Sequence, residues 1–180
     1  MPRYFAFLRG INVGGHRIKM DRLRELVEAL GFAQVETFIA SGNLIFSSPS
    51  HDVDAMEGRI GDHLHAALGY EVTTRIRSQS ELEAIAAFEP TEPAQSDQSM
   101  YVMLLAEEAD GELRQRLDGL STDTDCFEFS GHEVYWLIRG KVSESPLFNM
   151  NLAKMTGGVS TTTRNLTTIW RLLAKYPAPE

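Results

Sequence analysis

Apolar positions along the chain fall into one arrangement that occurs twice. Residues 4–8 are continuously apolar, which predicts a central strand covered on both faces. Met20, Leu23, Leu26, Val27 and Leu30 then recur at helical spacing, and Gly31 stands where a left-handed helix end is expected. Residues 35–40 and 43–47 are two short β-rich runs joined by Ser41-Gly42, the pattern of a tight hairpin. A second helical stripe of Val53, Met56, Ile60, Leu64 and Leu68 ends at Gly69 and leads into a strand over residues 71–76. The predicted order of the first half is therefore β-α-β-β-α-β.

Ser78-Gln79-Ser80-Glu81 has capping-box spacing ahead of a short helix carrying Leu82, Ile85 and Ala86. The segment after it, residues 89–98, is polar, aperiodic and holds Pro90 and Pro93, which marks a linker. The pattern then restarts. Residues 100–106 are a second continuously apolar run, Leu113, Leu117 and Leu120 mark a helix, and residues 126–129 and 133–138 form a hairpin turning on Ser130-Gly131. Ser145-Pro146 is expected to open a helix, and the last helix is expected from about Arg164 to Lys175, with Thr163 as its N-cap. The fold expectation is α+β: a tandem duplication of two ferredoxin-like β-α-β-β-α subdomains with antiparallel sheets. The expected boundaries are 1–78 for the first subdomain, 79–98 for connecting helix and linker, and 99–180 for the second.

Composition narrows the class. A hydrophobic share of 43% is ordinary for a globular protein. No apolar run approaches a membrane span and no secretory signal is legible at residues 1–10, so the expected location is cytoplasmic, with no membrane partner. The single cysteine, Cys126, excludes an intramolecular disulfide and any multi-cysteine metal site. A formal net charge of -8 argues against nucleic acid as a partner.

Within that acidic chain, residues 1–20 and 145–179 are two segments of mostly basic character. The first surrounds Gly10-Ile11-Asn12-Val13-Gly14-Gly15 with Arg3, Arg9, Arg17 and Lys19, and has no Asp or Glu. The second holds Thr161-Thr162-Thr163-Arg164-Asn165. Clustered cations with glycines that expose the backbone, and a hydroxyl-rich helix start, suit an anion. The expected ligand-binding residues are Arg9, Asn12, Gly14, Gly15, Lys19, Thr162, Thr163, Arg164 and Asn165, with the ligand between loop 9–19 and a helix start at 161–165. The competing readings are a tight strand-to-helix connection for the glycines and ordinary capping for Thr163.

Better-known loops do not match. Gly10 and Gly15 have P-loop spacing, but His16-Arg17 replace the required Lys and magnesium-binding hydroxyl. The dinucleotide pattern G-x-G-x-x-G is also absent there. No metal site is expected, because His63 and His65 are two apart on a helix and face different ways. No cofactor and no covalent nucleophile are expected either, and no catalytic residue can be assigned. Two alternatives stay open: an enzyme using the same site with His16 as proton carrier, or an RNA- or protein-interaction module on an exposed sheet face.

Residues 8–15, Met20, residues 37–46 and Thr162-Thr163-Arg164-Asn165 together resemble the domain-of-unknown-function 1697 family of largely bacterial proteins, across nearly the whole chain. The resemblance implies a compact α+β protein with tandem subdomains and no established activity. Phe38-Ile39-Ala40-Ser41 departs from the Tyr and Gln expected of that family near these positions, which bears on any role needing a polar side chain at residue 40.

Overall fold

The computed structural model describes residues 1–92 and 96–178, so residues 93–95 of the expected linker lie outside the described residues. The chain divides into two units, one of residues 1–83 with those from Lys175 onward, the other of residues 84–174. Each unit is built on a four-stranded antiparallel sheet.

In the first unit the elements are β1 (Arg3–Leu8), α1 (Met20–Glu28), β2 (Ala33–Phe38), β3 (Asn43–Ser47), α2 (Val53–Leu68) and β4 (Thr74–Ser78), with strand order β2-β3-β1-β4. That order is the ferredoxin-like one. Alternation along β1 sends Tyr4, Ala6 and Leu8 into the core shared with Leu23, Leu26 and Val27 of α1 and Met56, Ile60 and Leu64 of α2. The other face carries Phe5 and Phe7, which are also fully buried, as the unbroken apolar run requires. Asp52 caps α2 by accepting from the Ala55 N–H at 3.0 Å, and Gly69 ends it at φ 80. Glu57 of α2 reaches the edge strand β4, where it accepts from the Ile76 N–H at 2.7 Å and meets Arg75 Nη1 at 2.9 Å. Burial pushes its carboxyl above the ordinary value despite that pairing.

Two first-half expectations need correction. The strand expected at 71–76 lies at Thr74–Ser78, because its register is set by β1: Leu8 pairs with Thr74 and Tyr4 with Ser78. The hairpin is not a tight Ser41-Gly42 turn. Phe38 pairs with Asn43, leaving a loop of residues 39–42 held by Asn43 Nδ2, which donates to Phe38 O and Ser41 Oγ.

The connection out of the first unit is α3 (Gln79–Ala86), and it opens on the capping box: Glu81 Oε2 accepts from the Ser78 N–H at 2.8 Å, while Ser78 Oγ accepts from the Glu81 N–H at 3.3 Å. The second unit comprises β5 (Gln98–Leu105), α4 (Gly111–Leu120), β6 (Asp125–Ser130), β7 (Glu133–Arg139), α5 (Leu152–Met155), β8 (Thr161–Asn165) and most of α6 (Leu166–Lys175). Its strand order, β6-β7-β5-β8, repeats that of the first. Its core joins Met103 and Leu105 of β5 to Leu113 and Leu117 of α4 and Trp136 of β7.

Here too the structure departs from expectation. Ser145-Pro146 opens no helix: a 3-10 turn spans Val142–Glu144, and Ser145 Oγ instead donates to the buried Asp125 at 2.6 Å. The short α5 begins later, capped by Asn151. Most consequentially, residues 161–165 are the strand β8, paired with β5 from Leu105↔Thr161 to Tyr101↔Asn165. The threonine run is β-branched and its neighbour β5 is an open ladder, so extended pairing wins over helix capping.

Candidate functional site

The glycine-rich loop joins β1 to α1, and three contacts fix it to neighbouring segments of the first unit. Leu8 N–H donates to Gly42 O at 2.8 Å, Arg9 N–H to Thr73 O at 2.9 Å, and Asn12 Nδ2 to Ala40 O at 3.1 Å. Asn12 also braces the loop internally, since its Oδ1 accepts from the Ile18 N–H at 2.9 Å. Loop 9–19 and hairpin tip 39–42 are thus one surface. Gly42 is the residue that allows the approach: at φ 81, a Cβ there would stand 3.1 Å from the Cβ atoms of both Ile11 and Leu8.

The backbone of the loop has an unusual sequence of conformations. Gly10 (φ 89), Asn12 (φ 56) and Gly14 (φ 58) are left-handed and alternate with Ile11 and Val13, which are not; Gly15 follows at φ 89. Alternation of left-handed with other conformations is the backbone pattern from which anion-binding nests are built. Among the described residues, the N–H groups of residues 10–12, 14 and 15 have no acceptor; residues 11–12 form a turn that directs the Val13 N–H back toward Gly10 O, and the His16 N–H closes the next turn onto Val13 O at 3.0 Å. Cβ atoms at Gly14 and Gly15 would meet nothing within 4 Å, so these glycines serve conformation and not close packing.

Around this backbone, Arg17 and Lys19 are exposed and Arg9 half-buried, and among the described residues none of the three is paired with a carboxylate. Lys19 occupies the N-cap position of α1 with no capping bond from its side chain. The His16 ring stacks on Tyr70 at 3.8 Å between centroids. Sequence reasoning did not find the part of the hairpin tip or of Tyr70. The available signal was Gly42, whose positive φ and tight surroundings follow from the loop lying against it.

The helix start expected at 161–165 falls at the very end of that segment, at Asn165–Leu166, and the residues before it are extended. Thr163 is not an N-cap; Asn165 is, its Oδ1 accepting from the Thr167 N–H at 2.9 Å. Thr161 Oγ1 donates to Leu104 O at 2.9 Å. Thr162 and Thr163 have buried hydroxyls without a hydrogen-bond partner among the described residues. Arg164 donates to Thr163 O at 2.8 Å, and burial of its guanidinium lowers its pKa to about 10. The helix N-terminus beside Arg164 is thus that of α6, with its Thr167 N–H taken by the Asn165 cap.

Other candidate chemistry is sparse. Among the described residues no three His, Cys, Asp or Glu side chains group to hold a metal ion. Cys126 is half-buried on β6, and desolvation raises its thiol pKa, away from thiolate reactivity. No helix of the described residues is long and apolar enough to cross a membrane.

Comparison with known proteins agrees with the architecture. The chain superimposes on the conserved bacterial protein SP0830 from Streptococcus pneumoniae with a TM-score of 0.77 and 22% identity, covering 97% of this chain and 99% of that one. At that identity the likeness shows a shared fold. The first two RRM domains of yeast poly(U) binding protein (Pub1) are matched over 90% of this chain and 98% of theirs at 10% identity, but the TM-score of 0.29 carries no argument. None of the curated proteins compared with the chain matches it. A family model does match residues 1–135, spanning the loop, the hairpin tip and both apolar central strands, and the chain accordingly belongs to DUF1697, described as a protein of unknown function.

Proposed function

We propose that this protein binds a small anionic ligand, of the phosphate or carboxylate class, on the loop of residues 9–19. The observation that carries the reading is the set of backbone N–H groups at residues 10–12, 14 and 15 without acceptors among the described residues, on a loop of alternating left-handed conformation. Arg9, Arg17 and Lys19 add positive charge, and residues 1–20 contain no acid to cancel it. The reading rests on the first unit alone; Thr162, Thr163, Arg164 and Asn165 lie on β8 of the other unit. A cytoplasmic setting, rich in phosphorylated metabolites and reducing toward Cys126, is the compartment this function implies.

The test is a calorimetric and thermal-shift titration with inorganic phosphate, AMP and glucose 6-phosphate. Binding of at least one probe is expected, weakened about tenfold or more in an Arg9→Ala, Lys19→Ala double variant. Asn12→Ala, which cuts the loop from Ala40, should abolish it. Absence of any response at millimolar probe, or binding indifferent to these substitutions, overturns the reading.

The placement of His16, held by Tyr70 at the exposed side of the loop, favours a second use of the same site as a proton carrier near neutral pH. His16→Ala would then remove turnover of a bound phosphate ester while leaving its affinity intact.

A further inference from the structure

At the start of β1, roughly 17 Å along the strand from the loop, the first unit has a cavity of about 590 Å³ whose walls include Arg3, Gln34, Ser47, Gln79, Ser80 and Glu83. We infer that this cavity binds a zwitterion of amino-acid to dipeptide size, its carboxylate on Arg3 and its ammonium on Glu83. The two charges stand on one wall without neutralising each other. The Gln79 carboxamide lies between them, its Oε1 3.5 Å from Arg3 Nη1 and its Nε2 donating to Glu83 Oε1 at 2.9 Å. Among the described residues Arg3 and Glu83 form no ion pair.

Each charged group also has bonding capacity left. The hydrogen bonds of Arg3 leave from Nη1 alone, to Gln79 and, at 2.7 Å, to Pro177 O, while a guanidinium carries five N–H donors. Glu83 accepts one bond on one oxygen. The strands beside Arg3 are polar as well, Ser47 being its register partner on β3. Ser47 Oγ donates to Gln34 Oε1 at 2.9 Å, so the Gln34 amide is held by its oxygen and its NH2 is left over for a ligand. Gln34 sits at φ 53 in the irregularity of β2 between Ala33 and Glu36. A bulge of this kind re-aims a side chain, and a non-glycine residue held left-handed at a cavity wall is the sort of strain that accompanies binding sites.

Charge selects the ligand class. A phosphate on Arg3 would face Glu83, and a neutral sugar would leave both charges unmatched. A ligand with an ammonium and a carboxylate a few ångströms apart satisfies both, and the cavity lies within the size range of small-molecule sites.

The experiment is an NMR titration of the ¹⁵N-labelled full chain with glycylglycine, N-acetylglycylglycine and glycylglycinamide. The expected result is saturable shifts at residues 34 and 79–83 with the free dipeptide, and about tenfold weaker binding of each analogue that lacks one charge. Glu83→Gln keeps an acceptor for Gln79 and should weaken glycylglycine about tenfold with an unchanged urea midpoint, which shows that the fold is intact. Overturning results are no saturable shifts by ~50 mM, equal binding of all three compounds, shifts located elsewhere, or unaltered affinity in Glu83→Gln. Phosphate binding at loop 9–19 is a separate measurement whose outcome does not bear on this one.

Discussion

Asp125 is a fully buried carboxylate that no Lys or Arg pairs with among the described residues; hydroxyls and an indole do the work of a counter-ion. It accepts from Trp136 Nε1 at 2.8 Å, Ser145 Oγ at 2.6 Å, Thr124 Oγ1 at 2.8 Å and Thr122 Oγ1 at 3.1 Å. Removing the acceptor orphans buried donors on β7 and on the 140s loop together, so Asp125→Ala should cost about 3–5 kcal/mol in urea unfolding. Asn in its place loses acceptors on one side only and should cost less. None of this is legible in the sequence, because the partners lie at separations from one to twenty residues and no periodicity links them. Ile39 raises the opposite case. It is β-branched, 41% exposed and held at φ 52 in the hairpin tip, a conformation such side chains resist. Ile39→Asn tolerates that conformation without the chain entropy of glycine and should raise stability by about 0.5–1 kcal/mol in the same assay.

Among the elements, the ones read correctly are those in which the whole residue pattern points one way. The unbroken apolar runs at β1 and β5 could only be central strands, and both stand in the middle of their sheets. Gly69 ends α2 at φ 80 as a left-handed cap, whereas α1 is capped by Ala29 and reaches the left-handed Gly31 only after one further turn. The element that was misread, β8, is one whose residues serve two purposes equally well: threonine caps helices and also favours strands. Pairing with β5 decides it, and that partner lies some sixty residues upstream. A consequence belongs to the strand itself. Thr162 has no exposure and its hydroxyl finds no partner among the described residues, so it bears a desolvation cost without a compensating bond. Thr162→Val keeps the shape and the β-branching, and should stabilise the protein by about 1 kcal/mol. If anion binding is measured alongside, it should be unchanged, since the proposed binding residues are in loop 9–19.

At the scale of the molecule, the loop is the clearest case of a candidate site that was half legible. Its composition announced cations and flexible backbone, but not that Asn12 adopts a left-handed φ as a non-glycine residue or that it bonds Ala40 of a different turn. The division of the chain shows the same limit. A polar, proline-containing linker suggests two contiguous pieces, yet the residues from Lys175 onward belong with the first unit. Tyr176 explains this: its hydroxyl donates to Glu36 Oε2 at 2.7 Å, its ring meets Phe5 edge-on at 6.4 Å, and Arg3 holds the next residue through Pro177 O. The first sheet is therefore completed by a segment 140 residues downstream of β2. A chain ending at residue 174 exposes one face of Phe5 and leaves Arg3 and Glu36 without these bonds, so it should lose about 2–4 kcal/mol. Hydrogen exchange should localise that loss: the amides of β1 and β2 exchange faster, while those of β5 and β7, which belong to the other unit, keep their protection. Uniform loss across both sheets would instead mean that the tail stabilises the chain as a whole, and the assignment of residues 175–178 to the first unit would not describe how the protein is held together.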